Sequence, residues 1–134
     1  MTKKNKAALT NVIRETLLAR EEILFAYIHG SFLSLSDFRD IDVALFINPE
    51  EVSSEQAFDY SFRLSVELSH LTAQDIDIQI MNYAPLGFRH SVFKNGRLLF
   101  SRDETLRTDL MEETSLDYIA FYELSLQYIR DLAL

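Results

Sequence analysis

Three aspartates and one glycine–serine pair have the residue types and spacing to do chemistry. Asp40 and Asp42 stand two apart in Asp40-Ile41-Asp42-Val43-Ala44-Leu45-Phe46. On an extended strand that spacing puts both carboxylates on one face, roughly 6–7 Å apart. Carboxylates forced together repel, and one takes up a proton unless a cation lies between them. Asp77, in a later strand-like run, offers a third. Together Asp40, Asp42 and Asp77 could hold two Mg2+ ions roughly 3.5–4 Å apart, clamping the attacking and leaving oxygens of an in-line phosphoryl displacement. Gly30-Ser31 supplies the complementary part. Glycine lets the backbone approach a phosphate closely. Ser31 brings a hydroxyl and a backbone N–H at what reads as a helix start, a natural anion site.

These residues need elements to position them. Leu9, Val12, Ile13 and Leu17 predict one face of a helix from Ala7 to Arg20, with Lys3-Lys4-Lys6 before it as a solvated terminus. Ile23 to Ile28 is short and apolar throughout, which reads as a strand covered on both faces. Gly30 breaks it. Ser31 to Arg39 is a loop with a turn of helix near Phe32, and Asp40 to Ile47 is a second strand. Asn48-Pro49-Glu50-Glu51 reads as a turn or helix start. A helix then runs to about His70, with Phe58, Phe62 and Val66 in one row and Ala57, Leu64 and Leu68 beside it. Asp75 to Met81 alternates as a strand with one buried and one polar face. Pro85 opens a short helix through Phe93, Asn95-Gly96 turns, and Arg97 to Phe100 is a further strand. Ser101-Arg102-Asp103-Glu104 has capping-box spacing, and one long helix follows to Leu132. Its crowded second half, from Tyr118 to Ile129, is either core or a contact surface. The fold class is α/β in the broad sense (α+β): a small mixed twisted sheet flanked by helices, ending in a long C-terminal helix.

The 134 residues fit a single domain, 1–134, and a 48% hydrophobic share is enough to build a core. The chain has no cysteine, which removes disulfides, thiolate catalysis and Cys-based zinc sites and fits a reducing cytoplasm. Its net charge of -8 argues against stable nucleic-acid binding. A small substrate arriving with Mg2+, or a basic protein partner, fits better. No secretory leader and no membrane span are expected. Oligomeric state is left open. His29 reads either as a base beside the site or as a hydrogen-bonded strand end. His70 suits a helix C-terminus, His90 reads as surface or partner contact, and no spacing suggests zinc.

Ile28-His29-Gly30-Ser31 followed by Asp40-Ile41-Asp42-Val43 resembles the signature of the polymerase-β-type nucleotidyltransferases. Within that superfamily the chain is most similar to the minimal nucleotidyltransferases (MNT). Asp77-Ile78-Gln79-Ile80-Met81, Asn95-Gly96-Arg97-Leu98-Leu99-Phe100 and the Tyr-rich tail extend the resemblance over nearly the whole chain, towards the MntA-type antitoxins of HEPN–MNT pairs. That resemblance implies an adenylyltransferase that uses ATP and Mg2+ to place AMP on a tyrosine of a cognate HEPN-domain ribonuclease toxin. It implies that Gly30 and Ser31 grip phosphate, that Asp40 and Asp42 bind metal, and that Asp77 joins them and helps activate the attacking hydroxyl. The loop departs from the family pattern. Phe32-Leu33-Ser34-Leu35 replaces the usual Arg and Gly, the loop is shorter, and Arg39 stands where a small Ser is common, able to meet phosphate or pair with Asp37.

Two other functions fit the same residues. One is a non-catalytic module that neutralises its partner by docking through residues 101–134, which the altered loop favours. The other is a nucleotidyltransferase acting on a small hydroxylated molecule, which the shortness of the chain disfavours.

Overall fold

The computed structural model describes residues 2–35 and 38–133, so Ser36 and Asp37, and with them the Arg39–Asp37 pairing, lie outside the described residues. The elements run α1 (Lys3–Leu18), β1 (Ile23–His29), α2 (Ser31–Ser34), β2 (Ile41–Ile47), α3 (Ser54–Thr72), β3 (Ile76–Ile80), a 3-10 turn (Met81–Tyr83), α4 (Leu86–Asn95), β4 (Arg97–Ser101) and α5 (Glu104–Leu132). The sheet order is β3-β2-β1-β4. Strand β1 is antiparallel to both neighbours, and β2 runs parallel to β3. The sheet is therefore mixed, as its sequence pattern predicts.

Alternating residues send two faces into two cores. Ile41, Val43, Leu45, Ile76 and Ile78 pack with Ile13 and Leu17 of α1 and Leu64 and Leu68 of α3. On the other face Phe25, Tyr27, Ala44 and Phe46 pack with Val92 of α4 and Leu110 of α5.

Strand β1 breaks its own alternation. Ile23 pairs with Ile47 but Phe25 with Phe46, two residues against one. This is a β-bulge. Leu24 and Phe25 consequently belong to the same α4/α5-side cluster, flanked by Ile23 and Ala26 in the other. Counting by twos from Ile23 would turn His29 towards α1 and α3. The extra residue turns it towards α4, where it meets Phe88 edge-on at 5.4 Å.

Strand β3 lies at a sheet edge, where unpaired N–H groups invite pairing with other chains. Helix α3 covers that edge with serines. The Ile76 N–H donates to Ser69 Oγ at 2.9 Å and the Ile78 N–H to Ser65 Oγ at 3.0 Å. Beyond β3 the Asn82 amide continues the pairing, accepting from Ile47 N–H at 2.9 Å and donating to Ile47 C=O at 2.7 Å.

Several boundaries differ from the sequence reading. Asp40 precedes β2, which begins at Ile41. Asn48 makes a turn, accepting the Glu50 N–H, and α3 starts later behind a Ser53–Gln56 capping box. The α5 cap is Asp103, whose side chain accepts the Leu106 N–H, because Ser101 is held in β4 opposite Phe25. On α3 the buried row is Ala57, Leu64 and Leu68, while Phe58 is 80% and Phe62 60% exposed. The helix must turn its serines to β3, and that orientation leaves the phenylalanine row outside. His70 does sit in the last turn of α3. No described helix is long and apolar enough to cross a membrane.

Ser69→Ala strips the partner from the Ile76 N–H. It should destabilise the protein by about 1–3 kcal/mol, seen as a lower urea midpoint with unchanged slope. An unchanged midpoint would show that β3 does not depend on this cap.

Candidate active site

The strand register lines up three side chains. His29 on β1 sits opposite Asp42 on β2, and Asp42 opposite Asp77 on β3. All three stand on the α4 side of the sheet, opposite the core residues Ile41, Val43, Ile76 and Ile78. His29 Nε2 lies 3.0 Å from Gln79 Oε1, and Gln79 Nε2 donates to Asp77 Oδ2 at 3.1 Å. His29 is thus the hydrogen-bonded strand end of the two readings open in the sequence.

Gly30 follows directly, with φ 81° and ψ -159°. That conformation is essentially confined to glycine. A Cβ at this position would fall 2.6 Å from Asp42 Oδ2. The glycine therefore makes room for the Asp42 carboxylate as well as bringing bare backbone to the site. Ser31 begins α2, whose turn closes through the Leu35 N–H donating to Ser31 C=O at 2.8 Å.

Lys6 is a residue that the sequence reading missed. Its sequence position predicts a solvated terminus, but α1 begins at Lys3 and the Lys6 ammonium reaches the loop after Gly30-Ser31. It donates to Phe32 C=O at 2.5 Å and Leu35 C=O at 2.6 Å. It also lies over the Phe32 and Phe38 rings, at 4.9 and 5.3 Å. A lysine at the start of a helix carries no local signal for such a contact. His90, read as surface or partner contact, stacks on Tyr118 of α5 at 3.8 Å.

Burial pushes the Asp42 carboxyl above its ordinary pKa; His29 opposes this, and Asp77 and Asp40 add to it. The charges of all three neighbours reach Asp42. Asp40 and Asp77 themselves are exposed. Among the described residues, no group of three or more His, Cys, Asp or Glu side chains is gathered in a position to hold a metal ion. The donor chemistry nevertheless suits Mg2+, which prefers oxygen ligands and takes one or two carboxylates together with substrate phosphates and water. A cation beside Asp42 would also relieve the like-charge repulsion.

A mixed sheet with carboxylates aligned on adjacent strands, and a glycine fitted against one of them, defines a nucleotidyltransferase layout. Residues 11–105 match the polymerase beta nucleotidyltransferase family, and the chain belongs to it. Among solved structures it is similar to a chain of the complex between a tri-AMPylated Shewanella oneidensis HEPN toxin and an MNT antitoxin (TM-score 0.73, 17% identity, 96% of this chain and 99% of that one). It is also similar to a chain of the MntA–HepT toxin–antitoxin structure (TM-score 0.67, 15% identity, 99% and 100% covered). A third is a toxin–antitoxin structure with AMP-PNP (TM-score 0.68, 16% identity, 99% and 100% covered). At these identities the similarity establishes the fold. No curated protein matches the sequence.

Two predictions follow from the fit of Gly30 against Asp42. Gly30→Ala should cost about 1–3 kcal/mol of stability from backbone strain alone, measured by chemical denaturation; wild-type stability would contradict the close approach. Asp42→Asn should do the opposite. The fold disfavours the Asp42 carboxylate, so ionisation lowers stability at pH 7, and the penalty vanishes once the group is protonated in both states. The variant should therefore melt higher than wild type at pH 7 without divalent metal. The gain should shrink as pH falls through the raised pKa of the folded-state carboxyl and be gone below about 4, where Asp42 is protonated in both states. A lower Tm at pH 7 would contradict it.

Proposed function

We propose that this chain is a cytoplasmic Mg2+-dependent adenylyltransferase that moves AMP from ATP to a tyrosine hydroxyl of a cognate HEPN toxin, and so acts as its antitoxin. The observation that carries this reading is the side-by-side placement of Asp42 and Asp77, with Gly30 fitted against Asp42. Family membership and the AMPylated toxin in a complex of the same fold support it.

Mg2+ bound here supplies charge neutralisation at the reacting phosphate and the departing pyrophosphate. Asp40, Asp42 and Asp77 are the residues that would hold it, with the substrate phosphates completing its oxygen shell. The Gly30 and Ser31 backbone meets the triphosphate. Asp77, exposed like Asp40 and side by side with Asp42, accepts the proton of the attacking hydroxyl. The acceptor oxygen bonds to the α-phosphorus, the bond to the bridging oxygen breaks, and pyrophosphate departs.

The chain acts as one nucleotidyltransferase domain whose terminal helix docks the partner. Only Thr114 of α5 is fully buried, while Ile119, Phe121, Leu124, Tyr128 and Ile129 are exposed. These exposed apolar residues, spread around the end of the helix, also favour a second reading, neutralisation by docking without transfer.

Incubation with labelled ATP, Mg2+ and the protein encoded beside this chain separates the readings. Label on a partner tyrosine, reduced at least about 100-fold by Asp42→Ala, is the expected result. Full neutralisation by Asp40→Ala/Asp42→Ala without any label would favour docking. Label on a small hydroxylated acceptor alone would move the activity to another substrate class.

A further inference from the structure

We propose that Gln79 is a positioning residue for this site, tying Asp77 on β3 to His29 on β1 across the intervening strand and fixing the orientation of the Asp77 carboxylate. The inference rests on the reading of Asp77 as the group that receives the acceptor proton.

The hydrogen bonds determine which way the Gln79 amide points. An ionised carboxylate only accepts, so the amide nitrogen is the end that faces Asp77 Oδ2, at 3.1 Å. The amide oxygen then faces His29 Nε2 at 3.0 Å, and that nitrogen must carry a hydrogen to donate. One side chain thus uses both ends of its amide, each on a different strand.

The route is set by register. Gln79 pairs with Ala44, and His29 with Asp42. The bridge runs diagonally over β2 from the level of Ala44 to that of Asp42. Strands β1 and β3 stand about 9–10 Å apart across the middle strand, within reach of a glutamine and a histidine extended towards each other. The Ala44 methyl beneath is small enough to leave the path clear. Phe88, edge-on to His29, holds the imidazole from the α4 side. Asp77 is exposed and has no other hydrogen bond to a side chain among the described residues. Without Gln79 its carboxylate is free to rotate into solvent.

The test compares wild type with Gln79→Met, similar in length and without hydrogen bonds, and Gln79→Glu, which still accepts from His29 but no longer donates to Asp77. Transfer to the partner should fall about 10–100-fold in kcat for both variants, with KM for ATP unchanged within about twofold. Wild-type kcat in Gln79→Met, or recovery in Gln79→Glu, would overturn the proposal, the latter because a contact to His29 alone would then suffice. A second readout needs no activity. The Asp77 side-chain carboxyl 13C resonance should shift in Gln79→Met in the metal-free protein, and the His29 Nε2–H should lose protection from solvent exchange. If neither changes in a folded variant, the tie does not exist, whatever the outcome for transfer. Absence of transfer by wild type, with both signals shifting as expected, would count against the adenylyltransferase reading and leave the tie standing.

Discussion

One extra residue in the first half of β1 sets the geometry on which the rest depends. Side chains on a strand alternate, so a shift by one residue exchanges the faces of everything beyond it. The bulge between Ile23 and Phe25 makes that shift. Beyond it Ala26 and Ile28 go to the α1/α3 core, Tyr27 to the α4/α5 core, and His29 to the face that carries Asp42 and Asp77. Gly30 then leaves the strand at the level of Asp42, where its missing side chain is the space the carboxylate occupies.

The row so formed works against the fold's own stability. Asp42 is partly buried with two further carboxylates near it and one histidine in opposition. Such an arrangement survives only when the surrounding structure over-determines it. Helix α3 pins β3 through Ser65 and Ser69, Asn82 holds the far end of β2, and Lys6 gathers the carbonyls of the loop after Ser31. These contacts are structural, yet each acts on an element that carries a candidate site residue. A cation arriving with an anionic substrate would turn the electrostatic penalty into binding.

Much of this was legible in the sequence. The four strands, the Gly-Ser break and the three aspartates all announce themselves through composition and spacing. The bulge does not. Ile23 to Ile28 is apolar at every position, so there is no polar alternation against which a slip would show. The burial of α3 was obscured for a related reason. Phe58, Phe62 and Val66 form a better apolar row than Ala57, Leu64 and Leu68, and only the edge of β3, with its unpaired N–H groups, explains why the serine-bearing side turns inward. The α5 cap passed from Ser101 to Asp103 because Ser101 was already committed to pairing with β1. Gln79 looked like one polar residue of an alternating strand, and its reach to His29 joins positions far apart in sequence.

The acidic character of the chain sharpens the question of where a divalent ion goes. Asp109, Glu112, Glu113 and Asp117 form a second acidic stretch on α5, exposed where Asp42 is partly buried. Charge density alone would send a cation there, whereas the strand register favours the sheet. Titration of 15N-labelled protein with Mn2+ in the presence of a non-hydrolysable ATP analogue distinguishes them through paramagnetic broadening. The row geometry predicts that signals of Gly30, Ser31, Asp42 and Asp77 vanish first, with α5 little affected. Broadening centred on Asp109 to Asp117, with Gly30 and Asp42 unchanged, would contradict it.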